Sequence, residues 1–275
     1  AKRVESALRT IARKYPPGNF SSVVLFNQLN IPKRYISSAD GKLVGLVVPV
    51  APSSCYIKND ILDRSVSKLV RLRHVICAEE RLIHPEKNSN SPLSEAAKWP
   101  ILDSLCQTIA SFHDLHLIHG DLSSNNVLVR WAETTDPKVY IIDAFNGFSD
   151  SGGNNELGHM FSDVYCPTSV KNSEYTTASD VYCLAWWIMH IAIAMDPSAL
   201  GLPLPDFNVP STVRQCLYLR HEYVVKYLPD AAQKLPKWLF TVLCESLEGN
   251  PDNRPNAWEL AYAVHDYWIG FGDAR

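Results

Sequence analysis

The sequence predicts an α+β chain with strands in its first third and around a central loop, and helices through most of the remainder. Three observations carry this. The run Leu43-Val44-Gly45-Leu46-Val47-Val48 leads into Pro49-Val50-Ala51-Pro52, a buried strand entering a kinked linker. Between Ser94 and His116, Leu102, Leu105, Ile109 and Phe112 recur at three- and four-residue steps, the spacing of one helix face. Two short apolar runs, Leu117-Ile118 and Val127-Leu128-Val129, bracket a polar loop in which Asp121 leads and Asn126 follows five positions later.

A chain of 275 residues is long enough for one large domain or two lobes with a sizeable core. Hydrophobic residues at 46% and charged residues at 20% are ordinary for a globular protein, and the net charge of -3 offers no basic surplus for nucleic acid or an anionic membrane. The longest apolar run, around Val181 to Met195, is interrupted by Tyr182, Cys183 and His190 and is short for a membrane span. Ala1-Lys2-Arg3-Val4-Glu5 lacks the apolar core of a signal peptide, and the absence of an initiator Met leaves a fragment or a processed chain open. The cysteines number seven, an odd count with no C-x-x-C pair. That favours buried free thiols in a reducing, cytoplasmic compartment over a zinc site or a disulfide framework.

Taken in order, residues 2–15 read as a helix, with Val4, Leu8, Ile11 and Ala12 near helical spacing, Glu5 as its acidic residue and Tyr15-Pro16-Pro17-Gly18 as its stop. Val23-Val24-Leu25-Phe26 fits a strand or a buried loop, and Ser37 to Gly41 a turn signalled by Asp40-Gly41. Residues 60–83 read as a second helix, followed by a polar, exposed break from His84 to Pro92. Ser94 is a suitable N-cap for the long helix, and Pro100 lies near its start. Beyond Val129 a turn around Asp136-Pro137 leads to the strand Val139-Tyr140-Ile141-Ile142, which ends in Asp143. Residues 149–165, rich in Ser, Gly, Asn and Asp, form a loop. Helices are expected over 212–227 and from Trp238 to Leu247. Trp186 and Trp187 are expected in the core.

An acid placed to meet a nucleophile, with an amide able to ligate a hard cation, is what phosphoryl transfer requires of a loop between rigid strands. His119-Gly120-Asp121-Leu122, three residues, then Asn126 resembles the catalytic loop of the protein-kinase superfamily, written H-R-D-L-x-x-x-N. Companions follow in the order of that family. They are the linker after Val48, the long helix, Asp143 at the Asp-Phe-Gly place, Ser179-Asp180-Val181-Tyr182, and Arg254-Pro255. The likeness spans about residues 43–265. Small-molecule kinases of the aminoglycoside type also use a His-Gly-Asp loop, but are not expected to carry the last two features.

The resemblance implies a bilobal protein-kinase-like fold with a mostly helical large lobe and a reduced N-terminal lobe. Residues 1–51 would be the partial N-terminal lobe with a hinge at 48–52. Residues 52–275 would be the helical lobe, with a catalytic loop at 119–126 and an activation-like segment at 143–168. It implies ATP and magnesium as cofactors. Asp121 would orient a hydroxyl and accept its proton, and Asn126 and Asp143 would ligate magnesium. Val48 would be the gatekeeper, Pro49 would offer its carbonyl to adenine and Ala51 its N–H. His119 would be a packed structural residue, and Asp180 would cap the catalytic-loop backbone.

The departures from the pattern are specific. No Gly-rich loop or strand lysine precedes the first predicted helix, so the chain either was cut before that helix or lacks the phosphate lid. Gly120 replaces the Arg that meets an activation-segment phosphate, and Ser123 stands where serine/threonine kinases place a Lys. Asp143-Ala144-Phe145-Asn146-Gly147 displaces the Phe and Gly of Asp-Phe-Gly. Cys166-Pro167-Thr168 lacks the Glu of Ala-Pro-Glu, which leaves Arg254 in need of another partner or in solvent. The leading expectation is an ATP- and Mg-dependent phosphotransferase acting on Ser or Thr of a protein substrate. A pseudokinase that binds a protein partner, and a small-molecule kinase, are the alternatives. Oligomeric state is open.

Overall fold

Leu102, Leu105, Ile109 and Phe112 are all wholly buried along helix α1 (Glu95–Asp114), so the predicted periodicity does mark its core face. The helix runs through Pro100, at the loss of one main-chain bond. The structure is a computed structural model that describes residues 30, 34–40, 43–61, 64–72, 95–114, 118–120, 122–123, 125–130, 139–143, 176–193, 222 and 224–273. Expectations for residues 2–15 and 23–26, for Glu5, Ser94 and Asp121, and for the 149–168 stretch lie outside the described residues. So does most of the helix expected over 212–227, of which residues 224–227 are helical.

Helix α2 (Thr177–Ile193) is apolar on every side and is buried from Ser179 to Ala192, the pattern of a helix at the centre of a core. Trp186 and Trp187 are both wholly buried there. Around α2 pack α1, α3 (Lys237–Ser246) and α4 (Ala257–Asp273), with the most extensive contact between α1 and α4. The α4 start is a reciprocal cap. Asn256 Oδ1 accepts from the N–H of Glu259 at 3.0 Å, and Glu259 Oε2 accepts from the N–H of Asn256 at 2.7 Å. Trp258 Nε1 donates to both carboxylate oxygens of Asp114, at 3.0 and 2.9 Å, and ties α4 to the end of α1. Among the described residues no helix is long and apolar enough to cross a membrane.

The described strands form three antiparallel hairpins. β1 (Arg34–Ser37) pairs with β2 (Leu43–Val47), and the turn expected near Asp40 lies between them. β2 opens into an irregular linker at 48–52 and then a short 3-10 turn at Ser53–Cys55. β2 is not the buried strand expected: Val44 is 63% and Val47 43% exposed, because β2 is paired in a two-stranded sheet that joins neither described core cluster. β3 (Tyr56–Ile61) pairs with β4 (Arg64–Leu69) through six consecutive residue pairs. This corrects the helix expected from residue 60. Leu62, Val66, Leu69 and Val70 fall at the four-, seven- and eight-residue steps of a helix face in the sequence. Pairing with Tyr56–Ile61 satisfies main-chain groups on both strands at once, and tertiary pairing overrides the local pattern. Residues 73–83 of that expectation lie outside the described residues.

β5 (Val127–Val129) pairs with β6 (Val139–Ile141), and all six residues are buried. Their side chains alternate between two environments. Val127, Val129, Val139 and Ile141 join the helical core, while Leu128 and Tyr140 join Cys55 in a second cluster flanked by Ala51, Tyr56, Leu69 and Ile142. A strand pair covered on both faces reads as an unbroken apolar run, as it does here. This hairpin is therefore the seam where the linker side meets the helical side. The four described cysteines, Cys55, Cys106, Cys183 and Cys244, are free thiols.

Candidate active site

The loop predicted at 119–126 is held from behind by Asp180, in the first turn of α2. Asp180 Oδ2 accepts the N–H of His119 at 2.8 Å, and Oδ1 accepts the N–H of Gly120 at 3.0 Å. Oδ2 also accepts from His113 Nε2, on α1, at 3.0 Å. Asp180 is thus where the loop, α1 and α2 meet. Burial alone would push its carboxyl up, but the His113 hydrogen bond and charge, with the His119 contact, outweigh burial and hold it below the usual carboxylate range. The backbone cap expected of Asp180 is present.

Gly120 has φ 72, in the left-handed region where a side chain meets the backbone. Glycine at the place of the usual Arg removes that conflict while both neighbouring amides stay bonded. His119 is fully buried and its Nε2 donates to the carbonyl of Ile142 at 3.4 Å, so it packs behind the loop as expected. At the other end of the loop, Asn126 N–H donates to Ser123 O at 3.0 Å, and Asn126 O accepts the N–H of Ile142 at 2.8 Å. Both ends of the 119–126 loop therefore grip one residue, Ile142, His119 through its carbonyl and Asn126 through its N–H, and Asp143 is the next residue.

Asn126 and Asp143 accordingly stand at the same open end of the β5–β6 hairpin. Asn126 is 7% exposed, whereas Asp143 is part of the exposed surface and is the one described non-glycine residue with positive φ, at 56. Asp tolerates this conformation better than most residues, yet it still costs about 1 kcal/mol or more, and such outliers cluster at functional sites. An amide oxygen and a carboxylate are hard donors of the type magnesium takes, so the donor chemistry fits that ion.

Of the predicted adenine contacts, Val48 is 42% exposed, Pro49 is half-buried, and Ala51 packs against the cluster of Cys55, Leu128 and Tyr140. Ala51 and the pair Asn126 and Asp143 thus share the β5–β6 hairpin as their platform. Arg130, just after β5, donates from Nε to Ser54 Oγ at 3.1 Å and fastens the end of the linker to the same hairpin.

Arg254, left without an acidic partner in the sequence, is 8% exposed and is held by main-chain oxygens. Its Nε and Nη2 donate to Glu248 O at 2.8 and 2.7 Å, Nη1 donates to Ala178 O at 2.9 Å, and the guanidinium lies 4.9 Å from the Tyr182 ring centre. It locks the turn before α4 onto the first turn of α2, beside Asp180. Sequence reasoning missed His113, whose role depends on a carboxylate 67 positions away, and the Arg71 contact to Asn125 at 3.2 Å. Neither carries a local signal.

Comparison with known proteins bears on the family of the chain. A family model described as protein tyrosine and serine/threonine kinase matches residues 56–264. A curated relative, the mitogen-activated protein kinase kinase MST7 of Pyricularia oryzae, is 28% identical over 154 residues, covering 53% of this chain and 34% of that protein. The chain spans about a third of the length of that relative.

Proposed function

The chain belongs to the protein tyrosine and serine/threonine kinase family, and from that we propose an ATP- and magnesium-dependent phosphotransferase acting on a Ser or Thr hydroxyl of a protein substrate. The observation that carries this reading is the double attachment of Ile142. Gripped by His119 on one side and Asn126 on the other, Ile142 ties both ends of the loop to the position before Asp143. A metal-phosphate site needs that convergence.

In this reading Asp121 orients the substrate hydroxyl and takes up its proton as the oxygen bonds to the γ-phosphorus of ATP and the bond from that phosphorus to the departing ADP breaks. Asn126 and Asp143 hold magnesium, which when bound neutralises phosphate charge. Val48, Pro49 and Ala51 form the adenine edge, where the Pro49 carbonyl accepts and the Ala51 N–H donates. Asp180 keeps the loop in one conformation, so catalysis is positioning plus fixed charge. The resemblance of Ser179-Asp180-Val181-Tyr182 and Arg254-Pro255 to the large lobe of protein kinases favours a protein over a small-molecule acceptor.

One observation favours a second reading, a kinase-shaped binding module without turnover. The spelling Asp143-Ala144-Phe145-Asn146-Gly147 separates the metal Asp from the Phe and Gly that normally follow it. One experiment separates the two: transfer of radiolabelled phosphate from ATP to a general protein substrate with magnesium, comparing the wild type with Asp121→Asn. Loss of signal by a factor of about 100 or more in the variant is expected, in the range of general-base effects. Equal signal in both would remove the phosphotransferase assignment, and magnesium-ATP binding without transfer would leave the binding module.

A further inference from the structure

Arg71 is attached to the strand that follows Asn126 and to the residue that precedes it. Its main chain forms an isolated antiparallel bridge with Leu128, and the adjacent Val70 carbonyl accepts the N–H of Val129 at 2.8 Å. Its side chain reaches the other end of the same run, where Nη1 donates to Asn125 Oδ1 at 3.2 Å. Residues 125 and 128 are thus joined to a single residue, with Asn126 between them. A guanidinium has donors only, so the Asn125 atom it meets must be the amide oxygen, which fixes the orientation of that amide. Asn126 takes the remaining constraints on its peptide from Ser123 and Ile142.

We infer that Arg71 is a positioning residue of the proposed site: by holding Asn125 it fixes the turn that presents the Asn126 amide, and thereby sets the affinity for the divalent cation. The inference rests on the phosphotransferase reading. Groups that orient a metal ligand without touching the metal commonly change affinity by about 10- to 100-fold when removed. A single-donor contact to the neighbouring residue belongs at the lower end.

The test measures Mn2+ binding directly, by electron paramagnetic resonance in the presence of a non-hydrolysable ATP analogue. Wild type, Arg71→Ala, Asn125→Ala and the double variant are compared, with melting temperature as a check on folding. Each single variant should bind Mn2+ about tenfold more weakly. The double variant should bind no more weakly than either single one, because both remove the same contact. Asn125→Ala leaves the Arg71–Leu128 bridge intact and keeps the test decisive where Arg71→Ala does not fold. In turnover the loss should appear as a raised magnesium requirement, with kcat at saturating magnesium little changed. Unaltered Mn2+ affinity in Asn125→Ala, or fully additive losses in the double variant, would overturn the inference alone. A wild-type chain that binds no Mn2+ overturns the phosphotransferase reading and this inference with it.

Discussion

Helix α2 and the β1–β2 hairpin with its linker carry comparably apolar sequences to opposite fates. In α2 the run from Val181 to Ala192 is buried, with Trp186 and Trp187 wholly enclosed. In the hairpin and linker Ile36 is 51%, Val44 63% and Val50 82% exposed. Apolar composition therefore does not decide burial; the supply of packing partners does. Three helices pack around α2, whereas each strand of the β1–β2 pair is bonded to the other. The functional corollary is a rigid anchor behind the loop and a thinly supported edge where adenine is proposed to sit.

The comparison breaks most severely at Asp180. Asp180→Ala would leave the amides of His119 and Gly120 and the His113 ring without this buried acceptor. The expected loss is about 3–5 kcal/mol of unfolding free energy, read by chemical denaturation. The same carboxylate predicts a pH dependence. Its folded pKa is lowered, so its contribution is intact above about pH 4, the unfolded carboxyl range, and is lost as pH falls through the depressed folded value. Acid denaturation of wild type and Asp180→Asn should converge at low pH; parallel curves would contradict the sign.

A smaller effect is expected at Gly120. Gly120→Ala places a Cβ on a residue at φ 72 and should cost about 1–2 kcal/mol, with the loss visible in melting temperature. An unchanged melting temperature would mean that the clamp tolerates another backbone conformation. The smallest effect belongs to the linker. Val50→Thr, at a side chain 82% exposed, should change stability by less than about 0.5 kcal/mol. A larger loss by denaturation would show that the linker is better supported than its exposure indicates, and would narrow the contrast with α2.

How much of this was legible in advance differs by the range of the interaction. Helices α1 and α3 follow from apolar spacing, and α4 from the likeness of the Arg254-Pro255 turn, because those signals lie within a few residues of the structure they specify. The Asp180 cap was legible through Ser179-Asp180-Val181-Tyr182, a motif whose partner is the loop motif itself. The partner of Arg254 was not, because main-chain carbonyls have no sequence signature and Thr168 gives no substitute charge. The β3–β4 hairpin was misread as helix because Leu62, Val66, Leu69 and Val70 fall at helical steps, and the cross-strand pairing that overrides them has no local signal. Asp121 is legible in the sequence alone and lies outside the described residues.

By itself, then, the amino-acid order marked Asp121, Asn126 and Asp143 as the side chains proposed to do the chemistry, and the segments of α1 and α3 as helices. Only the tertiary structure decided that His119 and Asn126 would close on the main chain of Ile142, that a carboxylate from α2 would hold the loop, and that Arg71 would grip Asn125. The reason is physical. Helical periodicity is a local energy written over a few consecutive residues, whereas these contacts join groups far apart in the chain, and their free energy exists only once the core has brought them together.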